Sequence, residues 1–600
     1  MDLRAIDASP SGEERAAVDA VVGPNGPGTD GEGRQRRHLL LPALRAVQDR
    51  IGWISPGALG YICIRLTVPP AEAYGVVTFY AMLSTEPRPR TCIHVCDDIA
   101  CMRAGGPELL AALLDVPVGP AASVVPSPCL GLCEQAPAVL VQGPQEGNDV
   151  AFGGADRASV EAAVMAGRPV PQVGPERSAP QIASDRSSLR LLRRIGLADP
   201  ESLDSYRAYG GYQGLRRAAG LGPDGVIREV KDANLMGRGG AAFPTGVKWE
   251  AVARQPVRPH FFVCNADESE PGTFKDRLLM EHDPFALIEA LTVAGFATGA
   301  ERAFLYVRGE YPLAVRRLRD AADQCRRRGL LGDDVMGEGF AFDVEIRQGA
   351  GAYIAGEETA LFNSIEGKRP EPRNKPPFPV THGLFGKPTG VNNVETLFNV
   401  LEILRIGGPA FAQIGTTDST GTRLFCLSGD VVTPGVYEVE FGATLGDVLR
   451  LAGGARGGRE LRAVLLGGAA GTFVGPDALD LPLTFEATRA AGATLGSGVV
   501  MAFDDTADLG AVLLRIARFF RDESCGQCVP CRVGTVRQEE ALQRLRSGNT
   551  IGTRQDEVRL LGEIAAAMRD ASICGLGQTA AAATLSALGR FDVLADGGVR

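Results

Sequence analysis

The sequence predicts a multidomain α/β protein. Its 600 residues are too many for one hydrophobic core, because single cores stop growing at roughly 250–300 residues. Between about residues 200 and 410, helical patterns alternate with predicted strands at 261–263, 304–307 and 342–346, which is typical of a mostly parallel sheet. Cysteines gathered in two groups, one towards each end of the chain, mark further units. We therefore expect an α/β domain flanked by smaller domains that bear the cysteines.

Charge and composition exclude several classes of function. The net charge of −10 argues against nucleic-acid binding, which needs a basic face. The most apolar stretch, 286–300, is interrupted by Glu289 and falls short of the roughly 20 apolar residues that a membrane span needs. We expect a buried helix there and no membrane insertion. Thirteen cysteines without an apolar secretory signal at the N-terminus favour a reducing, cytoplasmic compartment, where thiols stay free or bind metal.

The first 168 residues are predicted to form a tail, a helical bundle and a compact α/β unit. Residues 1–36 are rich in glycine, proline and charge and are expected to be a disordered tail. Residues 37–86 show helical periodicity and form the bundle. Residues 87–168 combine predicted strands at 90–96 and 137–141 with a helix between them. These patterns indicate a small α/β domain after the bundle.

Four cysteines lie in loops of this small α/β unit, at Cys96, Cys101, Cys129 and Cys133. Thiolates held in pairs on two loops can surround a two-iron cluster, in which each iron takes two sulfurs. The gaps of four and three residues also lie within the range of a structural zinc site with four thiolates. Spacing alone leaves both interpretations open.

The segments on either side of the central α/β region differ in character. Residues 169–199 mix proline, serine, glutamine and charge without periodicity and are predicted to be a linker, with the basic run 186–194 at its solvated edge. Residues 411–506 are rich in predicted strands around a helix at 445–451. Residues 507–600 have a helical pattern.

A glycine-rich loop followed by a lysine, residues 237–248, is the centre of the α/β region. Glycines bare the backbone N–H groups, so the main chain can approach a phosphate or a flat ring, and Lys248 adds a positive charge. Gly237-x-Gly239-x-x-Ala242 has the spacing of the dinucleotide fingerprint. That fingerprint must follow a strand, whereas a helical pattern precedes this loop, so a simple Rossmann assignment fails. An ordinary tight turn is the alternative.

Three later polar clusters favour a ligand site over a plain turn. They lie near residues 264–277, 349–359 and 375–396. The first two follow predicted strands, and polar side chains at the carboxyl ends of strands face the ligand crevice of an open α/β sheet. We therefore expect the glycine-rich loop and these clusters to form one site.

The second cysteine group lies in the helical C-terminal region. Cys525, Cys528 and Cys531 share one tight turn, and Cys574 follows much later. Such a set suits a cubane cluster, whose irons each take one thiolate. Zinc is disfavoured here, because structural zinc sites usually take their ligands as two pairs.

In this order, the segments resemble the flavin- and NADH-binding subunit of respiratory complex I and its relatives in NAD-linked hydrogenases and formate dehydrogenases. That resemblance runs from about residue 200 to the C-terminus. A second one covers about 37–168, where residues 128–137 are similar to the thioredoxin-like two-iron subunit that accompanies the flavin subunit. The resemblance implies a thioredoxin-like [2Fe–2S] domain at 87–168, a Rossmann-like FMN- and NADH-binding domain at 200–410, a ubiquitin-like β-grasp domain at 411–506 and a helical [4Fe–4S] domain at 507–600.

The resemblance also implies the roles of single residues. The FMN contacts it implies are Gly237, Arg238, Gly239, Gly240, Lys248, Asn265, Asp267, Glu268, Tyr353, Gly356, Glu357, Asn392 and Asn393. The NADH contacts it implies are Phe243 and Phe378 on either side of adenine, and Glu270, Glu358 and Lys375 along the rest of the dinucleotide. The cluster ligands it implies are Cys96, Cys101, Cys129 and Cys133 for two irons, and Cys525, Cys528, Cys531 and Cys574 for four. We further hypothesise that the Glu358 carboxylate repels a 2′-phosphate, so that NAD is preferred to NADP.

A diaphorase subunit is the function that the resemblance implies. NADH gives up an electron pair as hydride and clusters take single electrons, so a flavin connects the two. The expected partner is a large catalytic subunit with further iron–sulfur clusters, in a possible dimer of heterodimers. The fusion of both modules, with intact cysteines, makes a molybdenum- or tungsten-dependent formate dehydrogenase the first prediction, followed by NAD-reducing hydrogenase and complex I. A zinc-stabilised scaffold without redox activity is the alternative class. The retained glycines, Glu270 and Lys375 argue against it.

Overall fold

The structure, a computed structural model, describes residues 8–23, 35–115, 122–143, 149–166, 174–184 and 186–593. Within these residues the chain forms three β-sheets, two of four strands and one of five, each covered by helices. The predicted multidomain α/β class is confirmed. Short 3₁₀ turns connect several elements, at Arg37–Leu39, Cys133–Gln135, Val335–Gly337, Tyr353–Gly356, Leu384–Gly386, Arg456–Gly458 and Pro476–Ala478.

The N-terminal module is a helical bundle. Its helices are Gly12–Val22, Leu40–Ile51, Pro56–Leu66 and Pro70–Val77. The prediction of a disordered tail is wrong for the first of them. A capping box between Ser11 and Glu14 starts that helix, and Val18 is fully buried against the bundle. The local capping signal outweighs the glycine- and proline-rich average, and residues 1–7 and 24–34 of the predicted tail lie outside the described residues.

A four-stranded mixed sheet follows, in the order β2-β1-β3-β4. Its strands are β1 (Thr91–Cys96), β2 (Ala122–Ser127), β3 (Ala138–Gln142) and β4 (Val150–Gly153), and its helices are Ile99–Arg103, Gly106–Asp115 and Arg157–Ala166. β1 is parallel to β2 and antiparallel to β3. The cysteine loops therefore leave the sheet from β1 and from the connection between β2 and β3.

The predicted linker is packed onto the neighbouring domains. It contains the helices Pro175–Ser178 and Gln181–Ser184. The Glu438 carboxylate accepts the backbone N–H groups of Leu191 and Leu192 at 3.0 Å, and Arg194 pairs with Asp283 at 2.7 Å. The prediction of a solvated basic edge is therefore wrong, because the leucines of this run enter the core and buried carboxylates neutralise its arginines. Residues 169–173 and 185 lie outside the described part of the chain.

The central domain contains a parallel sheet in the order β7-β6-β5-β8. Its strands are β5 (His260–Ala266), β6 (Ala300–Val307), β7 (Asp343–Gln348) and β8 (Thr389–Asn393). The surrounding helices are Leu203–Ala208, Gln213–Asp232, Thr245–Ala253, Lys275–His282, Pro284–Thr298, Pro312–Arg327, Glu358–Ile365, Pro379–His382, Val394–Ile406 and Gly408–Phe411. The most apolar stretch of the sequence is the buried helix Pro284–Thr298. In the described ranges, no helix has the length and apolar character that a membrane crossing needs.

The last two modules are a five-stranded sheet and a helical bundle. The strands are β9 (Thr422–Gly429), β10 (Gly435–Glu440), β11 (Leu461–Leu466), β12 (Thr472–Val474) and β13 (Val499–Asp504), in the order β10-β9-β13-β11-β12, with helices Leu445–Leu451 and Phe485–Ala490. The final strand β13 runs parallel beside β9, which is the arrangement of a β-grasp domain. The bundle helices are Leu509–Asp522, Val529–Ser547, Arg554–Ala571, Gly575–Thr579 and Ala582–Arg590.

Candidate functional site

The polar clusters meet at the carboxyl edge of the parallel sheet. The register pairs Asn265 at the end of β5 with Asn393 at the end of β8. The Asn265 side-chain amide donates to the Gly356 carbonyl at 2.7 Å and its oxygen accepts the backbone N–H of Asp267 at 3.2 Å. The segments after β5, β7 and β8 are thereby joined into one site, as the sequence predicted.

The glycine-rich loop closes over this edge. It is pinned by a hydrogen bond from the Gly237 N–H to the Phe243 carbonyl at 3.0 Å. Gly239 faces Asn393 so closely that a Cβ at position 239 would lie 3.0 Å from the Asn393 Cβ. Gly240 has φ of +117°, which side chains rarely adopt. The loop thus presents bare backbone at the sheet edge, which fits a ligand that lies against the main chain.

Lys248 and Trp249 attach the following helix to β8. The Lys248 ammonium donates to the Val391 carbonyl at 3.0 Å, and the Trp249 indole N–H donates to Asn392 Oδ1 at 2.8 Å. Burial lowers the pKa of Lys248, with further influence from the charges of Glu358 and Lys375. The predicted residues Lys248, Asn392, Glu358 and Lys375 therefore lie within electrostatic reach of one another.

Arg238 does not contribute its side chain to the site. Its guanidinium is fully buried, donates to the Thr420 carbonyl at 2.6 Å and lies 4.6 Å from the centre of the Phe441 ring. Burial lowers its pKa to about 9. The backbone N–H of Arg238 also forms a hydrogen bond, in which it donates to the Thr396 hydroxyl at 2.9 Å. The guanidinium therefore connects the loop to the β-grasp domain, and the predicted flavin contact of Arg238 stays a prediction.

Asp267 and Glu268 are adjacent in sequence but differ in the hydrogen bonds that their carboxylates accept. Asp267 Oδ2 is buried without a hydrogen-bond partner among the described residues, and a Cβ at Gly356 would lie 3.3 Å from it. Glu268 accepts the backbone N–H groups of Asp276 and Arg277 at 2.9 Å and so caps the helix Lys275–His282. Burial raises the pKa of Glu268 to about 8. Asp267 is thus available for a ligand donor, whereas both carboxylate oxygens of Glu268 accept helix N–H groups and its predicted ligand contact stays a prediction.

Glu270 and Tyr353 connect three domains. The Tyr353 hydroxyl donates to Glu270 Oε2 at 2.5 Å, and the other oxygen of Glu270 accepts the Ala470 N–H at 2.7 Å in the β-grasp domain. The backbone N–H of Tyr353 donates to Glu523 at 2.8 Å in the C-terminal bundle. Any ligand at the sheet edge would therefore sit beside the junction of the three domains.

Glu270→Gln is expected to reduce the pH dependence of stability. Burial raises the pKa of Glu270 from 4.5 to about 7, so the folded protein keeps a proton that the unfolded chain loses. Stability then falls as pH rises through this window, and the glutamine removes that slope. We expect a smaller drop in Tm between pH 5 and pH 7.5 in scanning calorimetry of ligand-free protein. Glu301→Gln, at an exposed position, serves as the control, and an unchanged slope for Glu270→Gln would contradict the prediction.

The predicted NADH side of the site lies at the surface. The Lys375 ammonium binds Glu358 at 2.6 Å and Glu357 at 3.1 Å, while Glu357 also caps the helix Glu358–Ile365. The rings of Phe243 and Phe378 are 51% and 55% exposed. Large aromatic rings are normally buried, so two exposed rings bordering a polar cluster fit the binding of a flat heterocycle.

The first cysteine group is assembled as predicted. Cys96, Cys101, Cys129 and Cys133 are all buried, and the sulfurs of Cys129 and Cys133 are 3.3 Å apart. Interaction with Cys101 and burial raise the pKa of Cys96 well above its usual value. The Gly131 N–H donates to the Cys129 sulfur at 3.4 Å. The prediction that all four lie in loops is wrong for two of them, since Cys96 ends β1 and Cys101 lies in the helix Ile99–Arg103. The four thiols nevertheless share one buried space, which fits a two-iron cluster.

The second cysteine group is also assembled. Cys525, Cys528, Cys531 and Cys574 line one cavity together with Ile354, Pro372, Ser524, Gly526, Gln527, Ile573 and Leu576. Burial raises the pKa of Cys531 to about 11 and that of Cys574 to about 12. Binding of iron must therefore displace their protons. Ile354 belongs to the same turn as Tyr353, so the cavity adjoins the site at the sheet edge.

Several structural residues of the site carry no motif. Lys275 is buried and pairs with Asp276 at 2.8 Å and Glu395 at 2.9 Å, and Asn393 donates to Asp276 at 2.6 Å. Arg308 is buried behind Glu268, whose carbonyl it binds at 2.7 Å. In the sequence, Lys275 next to Asp276 at the end of the polar cluster 264–277 is the signal that could have indicated this network.

Comparison with known proteins identifies the family. Three family models match separate parts of the chain: a Nuo51 FMN-binding domain at 230–402, a thioredoxin-like [2Fe–2S] ferredoxin at 30–164 and an NADH-ubiquinone oxidoreductase-F iron–sulfur binding region at 511–594. The F 2 subunit of NADH-quinone oxidoreductase in Rhizobium meliloti (strain 1021) is 44% identical over 403 residues, which are 67% of this chain and 95% of the relative. The chain belongs to the family of the NADH-quinone oxidoreductase F subunits.

Other relatives of this family extend the match. The NADP-reducing hydrogenase subunit HndC of Solidesulfovibrio fructosivorans is 42% identical over 412 residues, 68% of this chain and 83% of HndC. A chain in the crystal structure of an NAD⁺-reducing [NiFe]-hydrogenase in the H₂-reduced state superposes with a TM-score of 0.78 at 34% identity, covering 92% of this chain and 91% of that one. The resemblance to a fused diaphorase subunit is confirmed. So are the predicted cofactors, FMN, NAD(H), one [2Fe–2S] and one [4Fe–4S] cluster, which replace the zinc interpretations.

Proposed function

We propose that this member of the NADH-quinone oxidoreductase F family is the diaphorase subunit of a larger NAD-linked enzyme and passes single electrons to a catalytic partner. The observation that carries the proposal is the turn Tyr353–Gly356, which borders both redox sites. Tyr353 binds Glu270 at the sheet edge, while Ile354 lines the cysteine cavity. A flavin at the edge and a cluster in the cavity would be separated by little more than this turn, which supports direct electron transfer between them.

The proposed FMN site combines bare backbone with a few polar side chains. Bound FMN supplies the conversion between electron pairs and single electrons. The chain's own residues bind and orient it: Gly237, Gly239 and Gly240 keep the loop open, and Asp267 Oδ2 provides a buried acceptor that lacks a partner among the described residues. The remaining proposed contacts are Lys248, Asn265, Tyr353, Gly356, Glu357, Asn392 and Asn393.

The proposed NADH site lies outside the flavin site. Phe243 and Phe378 offer exposed ring faces to adenine, and Glu270, Glu358 and Lys375 contact the rest of the dinucleotide. Lys375 is held in place by Glu357 and Glu358. A cation in a fixed position suits a pyrophosphate group, whose binding would shift that ion pair.

Glu358→Gln is expected to raise activity with NADPH. The carboxylate is 29% exposed, and at about 4 Å its repulsion of a 2′-phosphate in water is roughly 1 kcal/mol per unit charge. We expect kcat/KM for NADPH to rise about five- to tenfold relative to NADH. Steady-state kinetics with an artificial acceptor measures this, and Glu371→Gln, which removes a similarly half-buried carboxylate paired with Arg369, is the control. A variant that gained no NADPH activity would count against the assignment.

The two cysteine groups are the proposed cluster ligands. Cys96, Cys101, Cys129 and Cys133 would hold two irons, and Cys525, Cys528, Cys531 and Cys574 would hold four. All thirteen cysteines are free thiols in the structure, which supports a reducing compartment and hence the proposed cytoplasmic location.

The proposed partner is a large iron–sulfur catalytic subunit, with molybdenum- or tungsten-dependent formate dehydrogenase as the first candidate. That candidate rests on the fusion of both modules in one chain. The hydrogenase chain covers the fused chain almost completely, so an NAD-reducing hydrogenase is the second candidate, favoured by that match. A dimer of heterodimers is the proposed assembly.

Two measurements test the proposed function. The purified chain should show flavin absorbance, contain iron in place of zinc and reduce ferricyanide with NADH. The complex purified under native conditions should then reduce NAD⁺ with formate and contain molybdenum or tungsten. Hydrogen-dependent reduction with nickel present would assign the hydrogenase. A colourless, zinc-containing chain would overturn the proposal.

A further inference from the structure

Arg308 is a buried cation between the two-iron loop and the flavin site. It lies directly after β6 and is 2% exposed. One terminal nitrogen donates to the Glu268 carbonyl at 2.7 Å, and the other donates to the Cys129 carbonyl at 2.6 Å. The guanidinium also lies 5.0 Å from the centre of the Tyr311 ring. It is thus fixed from three sides and touches a residue of the cysteine group itself.

Within the described part of the chain, one carboxylate, that of Glu310, forms an ion pair with this cation, and the buried carboxylates of Asp267 and Glu523 lie within electrostatic reach of it. Glu310 Oε1 accepts from Arg308 at 2.8 Å, and Glu310 is 4% exposed. Its other oxygen, Oε2, is buried and has no hydrogen-bond partner among the residues that the structure describes. Glu310 thus engages Arg308 through one oxygen only.

The other charged groups around the cysteine loops pair among themselves. Arg277 binds the Gly131 carbonyl at 2.9 Å and pairs with Glu134 and Glu281. Arg515 pairs with Asp97 at 3.0 Å and Asp98 at 3.4 Å. Each of these two arginines has two carboxylates, whereas Arg308 has one. Of the three arginines, Arg308 is therefore the one with a single carboxylate in direct contact.

We propose that Arg308 is a positioning residue that raises the reduction potential of the two-iron cluster and fixes the cluster loop against the flavin site. Reduction adds one negative charge to a cluster, and a fixed cation in a dry environment stabilises that charge. Glu310 opposes the effect, since it neutralises part of the guanidinium charge. The inference deepens the proposed function, because it rests on Cys129 as a ligand.

A redox titration of the whole chain, followed by the EPR signal of the reduced two-iron cluster, tests the proposal. Dithionite and mediators set the potential without NADH, so a failure of NADH oxidation would not affect the result. For Arg308→Gln we expect the two-iron cluster to take up its electron at least about tenfold more weakly. For a one-electron couple this corresponds to a reduction potential that is about 59 mV more negative. Arg308→Lys keeps the positive charge, so the reduction potential of its two-iron cluster should lie closer to that of the unmodified chain. Glu310→Gln should shift the potential in the opposite, positive direction.

Opposite shifts of the reduction potential in Arg308→Gln and Glu310→Gln would distinguish an electrostatic effect on the cluster from a purely structural role. Arg423→Gln is the matched control, because Arg423 is also a fully buried arginine but lies in the β-grasp domain, where it donates to the Gly496 carbonyl. Its two-iron potential should not change. Unchanged potentials in Arg308→Gln and Glu310→Gln, or shifts in the same direction, would overturn the proposal. If Arg308→Gln fails to retain its cluster, Glu310→Gln decides alone: a positive shift supports the proposal and any other result overturns it.

Discussion

Cys574→Ala is expected to remove the proposed four-iron cluster and to lower NADH-driven electron delivery to the catalytic partner by at least about a hundredfold. Loss of a group that hydrogen-bonds to a metal ligand typically lowers metal affinity or activity 10–100-fold. Loss of the ligand itself should lower them at least as much. Cys574 alone comes from a different part of the chain than Cys525, Cys528 and Cys531. One iron of a cubane would therefore lose its thiolate while the other three thiolates stay on their turn.

The effect on the flavin site should be small. Cys574 precedes the short helix Gly575–Thr579 in the C-terminal bundle, whereas the proposed flavin contacts all belong to the central domain, and only the turn Tyr353–Gly356 borders both sites. We therefore expect Cys574→Ala to keep its flavin absorbance and its NADH-dependent reduction of ferricyanide. Iron content and low-temperature EPR measure the cluster, and partner-dependent turnover measures delivery.

A second cysteine variant controls for the loss of a buried thiol as such. Cys325 lies in the core of the central domain, where its sulfur is 3.0 Å from the Tyr212 hydroxyl. Cys325→Ala should keep both clusters and full turnover. Full iron content with undiminished delivery in Cys574→Ala would mean that Cys574 is not a ligand.

Local signals in the sequence predicted much of the fold. The helix expected at 445–451 is observed as Leu445–Leu451, because Thr444 and Asp447 form a capping box at its start. Ser55 likewise caps the start of the helix Pro56–Leu66, where Pro56 takes the first helical position. The spacing of the cysteines likewise predicted two groups, and the thiols of each group are brought together. In these cases the information lies within a few residues of sequence.

Contacts between distant parts of the chain could not be predicted in this way. Arg238 and Glu268 occur in glycine-rich or strand-end segments, where polar residues usually face a ligand. In the structure Arg238 binds a carbonyl of the β-grasp domain and Glu268 caps a helix. Arg308 and Glu310 follow β6 without any motif, and their importance depends on a loop 179 residues away. No sequence period indicates such a contact.

The linker and the N-terminal segment also depend on contacts that the sequence alone does not reveal. Their average composition predicted disorder and exposure, but stability depends on which residues find a partner. Leu191 and Leu192 are buried and their N–H groups bind Glu438. Burial of a few apolar side chains in a neighbouring domain therefore outweighed the polar character of the segment.

Gly131→Ala is expected to undock the two-iron loop from the central domain. Gly131 has φ of +66°, and a Cβ there would lie 2.1 Å from the Tyr311 hydroxyl. Tyr311 has no room to move, since it is 1% exposed and its hydroxyl donates to Glu268 at 3.2 Å. The left-handed backbone costs about 1 kcal/mol with a side chain, and overpacking adds roughly 1–3 kcal/mol. The Arg277 hydrogen bond to the Gly131 carbonyl would be lost with the contact.

The expected result is a protein with a lower Tm and a two-iron cluster that is lost or exposed. Thermal unfolding gives the loss of stability, and iron content with EPR gives the occupancy of the cluster. Gly154→Ala separates strain from clash, because Gly154 also has a positive φ, of +62°, but no atom of the described residues within 4 Å of its Cβ position. That control should lose only about 1 kcal/mol and keep its cluster. Equal losses in both variants would show that backbone strain alone matters and that the loop does not depend on Tyr311 for its position. A larger loss in Gly131→Ala shows that the close contact between Gly131 and Tyr311 helps to hold the cluster loop against the flavin domain, because a side chain at Gly154 would meet no described atom.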